Sequence, residues 1–93
     1  MKKIIEKLTE YTLSLRNALA NTNVANERPL LTNHLAAAAE MYALLNKRQN
    51  ISAIKDIVKT EIRSHGWSFI SGDAGTEIAD NWMAFTNATG IKY

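Results

Sequence analysis

Residues 29–48 read PLLTNHLAAAAEMYALLNKR, and the periodicity of this stretch decides the fold. Set at about 100° per residue, Leu30, Leu31, His34, Leu35, Ala37, Ala38, Met41, Tyr42, Leu44 and Leu45 share one half of a helical cylinder. The other half carries Thr32, Asn33, Ala36, Ala39, Glu40, Asn46 and Lys47. An apolar face that wide exceeds what one neighbouring helix covers. The stretch is therefore expected to be a central helix packed against at least two others, with its alanine run permitting close approach at high helix propensity. Pro29 suits the first turn, where a missing N–H costs nothing, and Asn26 is a candidate cap upstream.

Working outward, residues 2–20 place Ile4, Ile5, Leu8, Tyr11, Thr12, Leu15, Ala18 and Leu19 on one face of a first helix. Leu13 projects on the polar side. Residues 21–28 are asparagine-rich and precede the only proline, which marks a loop. After the central helix, residues 47–50 form a short polar turn, with Asn50 or Ser52 placed to cap a third helix over residues 51–65. A connection that short makes the two helices neighbours. Ile51, Ile54, Ile57, Val58 and Ile62 form the third helix's apolar stripe, Glu61 and His65 fall inside it, and Gly66 is the expected terminator.

Residues 66–75, GWSFISGDAG, combine glycines and serines with Trp67, Phe69 and Ile70, and read as a loop with large apolar groups. A fourth helix is expected from Thr76 to Ala88, capped by Asp73 or Thr76, with Glu77 favourable to the helix dipole and Gly90 ending it. Ile78, Trp82 and Phe85 supply its stripe. The fold class is all-α: four helices around one core, in a single domain spanning residues 1–93.

Composition narrows the function. With 46% hydrophobic residues over 93 positions, one domain buries roughly 60–65% of its unfolded surface, enough for a core without staples. There are no cysteines, so disulfides, thiolate metal sites and thiol nucleophiles are excluded, and a cytoplasmic setting is the simplest expectation. The basic start, MKKIIEKLTEY, is interrupted by Glu6, Lys7 and Glu10 before any apolar stretch of signal-peptide length. No window approaches the apolar length of a membrane span. The formal charge of +2 is uneven, because residues 67–93 hold three acidic groups and one basic one. That argues against a uniform basic coat for nucleic acid.

Four features carry candidate chemistry. His34 and His65 lie on apolar faces, and with Glu61 they are placed either for a hydrogen-bonded structural cluster or for a metal or acid–base site. The structural role is the expected one, as no His-x-x-x-His pair or carboxylate cluster has ligand spacing, and no cofactor is expected. No serine stands in a nucleophile elbow, and the Gly72–Gly75 piece lacks the lysine and spacing of a phosphate loop. Lys55, Lys59 and Arg63 form a ridge at i, i+4 and i+8, joined by Lys47 and Arg48 in the preceding turn. A solvated basic face is the plain reading of it. Trp67, Phe69 and Asp73 in the 66–75 segment are partner anchors, or in the case of Trp67 a plug for the bundle.

The sequence thus predicts a noncatalytic interaction protein, of the kind of a small bacterial or phage adaptor or inhibitor. It would use Lys47, Arg48, Lys55, Lys59, Arg63, Trp67, Phe69 and Asp73 against another protein. The alternative is nucleic-acid binding through the same cations, although the turn resembles that of a helix-turn-helix reader only loosely and Asp56 interrupts the ridge. A homodimer is compatible with both readings, with Leu13 and the aromatic loop as the first suspects.

Overall fold

The computed structural model describes residues 1–64, 70 and 72–91. Helix α1 runs Lys2–Asn21, α2 Glu27–Arg48, α3 Lys55–Ser64 and α4 Gly72–Thr89, with a 3₁₀ turn at Ile51–Ile54 leading into α3. The central-helix periodicity is reproduced residue by residue. Leu31, His34, Ala38, Met41 and Leu45 are buried, Leu30, Leu35, Ala37, Tyr42 and Leu44 are half-buried, and all seven positions assigned to the polar half are exposed. α2 meets α1 on one side and the 3₁₀ turn with α3 on the other.

α4 lies chiefly along α1, and this is the most extensive helix pairing in the molecule. Its stripe of Ile78, Trp82 and Phe85 closes over Leu8, Tyr11 and Leu15. The rings of Tyr11 and Trp82 stand 5.0 Å apart and those of Trp82 and Phe85 5.6 Å, both tilted, as aromatic quadrupoles prefer. The core therefore sits between α1, α2 and α4, with Ile54 and Val58 entering from the 3₁₀–α3 segment. Its radius of gyration, 12.6 Å, matches the roughly 12 Å expected for this length.

Local chemistry moves several boundaries from their sequence positions. α2 starts two residues before Pro29, which still sits in the first turn where its missing N–H is harmless. Asn26 makes no side-chain cap bond. Thr22 instead donates its hydroxyl to Glu27 at 2.8 Å and accepts the Val24 N–H at 3.1 Å, and the Glu27 N–H bonds the Val24 carbonyl. This connection leaves Glu27 buried. Asn50 does cap the next helical segment, accepting the Ser52 N–H at 3.0 Å, but the expected continuous third helix opens as a 3₁₀ turn.

α4 begins four residues earlier than expected, so the Gly72–Gly75 piece is helical and Asp73 lies in the first turn. Close packing explains the glycine at 75: a Cβ there would overlap the Ile70 carbonyl oxygen. Gly90, at φ 69°, ends α4 as expected, its N–H bonding the Thr86 and Asn87 carbonyls.

Candidate functional site

The cationic ridge is built by helix geometry. α3 turns Lys55, Lys59 and Arg63 to its outer side because Ile54, Val58 and Glu61 turn inward, and the short Gln49–Asn50 link sets the end of α2 beside its start. Lys47, Arg48, Lys55 and Arg63 are exposed and Lys59 is half-buried. None of the five makes an ion pair among the described residues. Alongside runs a furrow between α2 and α3 of about 250 Å³, edged by Glu40, Asp56 and Thr60 and floored by Ala37 and Ile57. Opposite charges thus lie side by side on this face, with the cations on α3 and, at the furrow, the exposed carboxylates of Glu40 and Asp56 beside the buried Glu61.

A second constellation lies inside. Periodicity places each member on the apolar side of its own helix, and the fold brings His34 and Glu61 together: His34 Nδ1 bonds the Glu61 carboxylate, with 4% and 8% of the two residues exposed. Tyr11 is fully buried, as its place in the α1 stripe implies, but the sequence did not show that its hydroxyl is buried with it. Its hydroxyl is the one buried side-chain polar atom among the described residues without a hydrogen-bond partner. Burial pushes the phenol well above its ordinary pKa, and the negative charge of Glu61 adds to the shift. The signal available in sequence was only a tyrosine in an apolar stripe, which ordinarily places its hydroxyl at the surface.

Chemically, a buried imidazole–carboxylate pair next to a protonated phenol is a polar tie between helices. No third ligand joins it among the described residues, where no group of three His, Cys, Asp or Glu side chains gathers in metal-binding proximity. His65, Trp67 and Phe69, and with them the expected Glu61–His65 contact and the aromatic anchors, lie outside the described residues. Asp73 is exposed on α4. No helix among the described residues is long and apolar enough to cross a membrane.

No family model, curated protein or solved structure matches the chain.

Proposed function

We propose that this domain is a noncatalytic interaction module that docks on an acidic surface of another protein, in the manner of a small bacterial or phage adaptor or inhibitor working in the cytoplasm. One observation supports the reading above others: five cations, Lys47, Arg48, Lys55, Lys59 and Arg63, stand on one helix end and one helix side without an ion pair among the described residues. Exposed cations without partners add little to fold stability, whereas across an interface they speed encounter and set register. Trp67, Phe69 and Asp73 remain proposed contacts on sequence grounds.

Nucleic acid is the second reading, carried by the same cations. Asp56 and Glu40 at the adjoining furrow weigh against it, since a phosphate backbone lying along α3 would meet them. The experiment is a low-salt pull-down divided into nuclease-treated and untreated halves, run with the natural chain and a Lys55→Glu/Lys59→Glu/Arg63→Glu variant. A defined protein that survives nuclease and is lost with the variant supports docking on protein. Recovery of nucleic acid, with bound proteins lost on nuclease treatment, replaces that reading with the second one.

A further inference from the structure

The furrow between α2 and α3 has an apolar floor, Ala37 and Ile57, and polar side chains that present only lone pairs to an occupant. Glu40 stands on the α2 wall and Asp56 on the α3 wall, both exposed. Thr60 donates its hydroxyl proton to the Asp56 carbonyl at 2.9 Å, so toward the furrow it offers an acceptor alone. The buried Glu61, bonded to His34, adds a third carboxylate at greater depth. Neither Glu40 nor Asp56 has an ion pair or a side-chain hydrogen bond among the described residues, although Lys59 follows Asp56 by about one helical turn.

We propose, in an extension that rests on the docking reading above, that this furrow seats an arginine side chain of the partner protein while carboxylates flanking that arginine meet Lys55, Lys59 and Arg63. Charge complementarity selects the occupant. The face is positive along α3 and negative across the furrow, so a wholly acidic partner surface would satisfy the ridge and be repelled by Glu40 and Asp56. A purely apolar side chain would cover Ala37 and Ile57 but cut both carboxylates off from water with no counter-charge. Arginine answers both parts of the furrow, because its methylene stem lies on the apolar floor while its charged head reaches the rim. Its planar fork of N–H donors also serves acceptors spread over two helices better than the compact ammonium of lysine does. The element this domain recognises is therefore an arginine set among acidic residues.

The first test needs no partner. Arginine capped at both ends as acetyl and methylamide, titrated into isotope-labelled protein, should move the amide resonances of Ala37, Glu40, Ile57 and Thr60 to saturation in the millimolar range expected of a single side chain. Asp73, Glu77 and Asp80, three exposed carboxylates on α4, are the internal control and should move little. A Glu40→Gln/Asp56→Asn variant, altered only at exposed positions, should bind the probe about tenfold more weakly. Capped citrulline, alike in shape but uncharged, should leave the furrow resonances in place. Equal shifts on α4, an equal response to capped citrulline or capped lysine, or a double variant that binds like the natural chain overturns the proposal. The ridge triple variant should still take up capped arginine, so a failure of the docking reading is seen separately. In the pull-down, the furrow double variant should lose the protein that the ridge variant loses. A protein lost with the ridge variant but retained by the furrow variant keeps the docking reading and overturns the arginine seat.

Discussion

His34 and Glu61 meet inside the core, joining the middle of α2 to the later turns of α3 through an imidazole–carboxylate bond. The two residues are 27 apart in sequence, and α3 otherwise shares a limited surface with α2. Removing either partner leaves the other buried without it. His34→Ala or Glu61→Ala is expected to cost about 2–4 kcal/mol, whereas a His34→Leu/Glu61→Leu double variant should recover more than half of that. Urea unfolding followed by circular dichroism measures the coupling. Losses that simply add would show that the two side chains act independently.

Tyr11→Phe should stabilise the protein. The substitution keeps the ring against Trp82 and removes a buried hydroxyl that has no partner among the described residues, a gain of about 1 kcal/mol at neutral pH. The same residue dictates an alkaline response. Its folded-state pKa is raised above the ordinary 10.0, so its contribution is complete below pH 10 and is lost as pH climbs beyond, at up to about 1.4 kcal/mol per pH unit. Unfolding measured from pH 8 to 11.5 should show a shallower decline for Tyr11→Phe. Identical curves would remove Tyr11 as the source.

Two glycines separate packing from backbone strain. Gly75→Ala drives a methyl group into the Ile70 carbonyl and should cost about 2 kcal/mol. Gly90→Ala meets no atom within 4 Å and pays only for its left-handed backbone, about 1 kcal/mol. Thermal midpoints of the two variants test the order, and a larger drop for Gly90→Ala would reverse the explanation.

The two candidate asparagine caps should behave differently. Asn50→Ala removes an acceptor that holds both the N–H and the hydroxyl of Ser52, at a cost of about 1 kcal/mol. Asn26→Ala removes no cap bond and should be near neutral. Denaturant midpoints of equal size for both would mean that the Asn50 bonds contribute little.

Periodicity governs the part of the fold that was legible in the sequence. The inner and outer halves of α2, the stripe of α1 and the stripe of α4 come from the 3.6-residue repeat alone, as does the exposure of Leu13. Boundaries were less legible because they rest on single hydrogen bonds and contacts between segments. The Thr22–Glu27 bond draws the start of α2 back, and the approach of Ile70 makes Gly75 a packing residue where composition suggested a turn. The site divides in the same way. Helical spacing put Lys55, Lys59 and Arg63 on one side, but that His34 meets Glu61, and that Tyr11 buries its hydroxyl beside that charge, depends on how three helices assemble.

The packing of α1 against α4 also has a temporal meaning. Asn81 bonds the Glu10 carbonyl across 71 residues, so the most extensive helix pairing joins the two ends of the chain. During synthesis, α1 emerges before α2, the 3₁₀ turn, α3 and α4, so Leu8, Tyr11 and Leu15 stay partly uncovered until α4 arrives. Closing so long a loop makes the α1–α4 contact the slowest part of the core to assemble, because its entropic cost falls before the eighteen residues of α4 can repay it by burial.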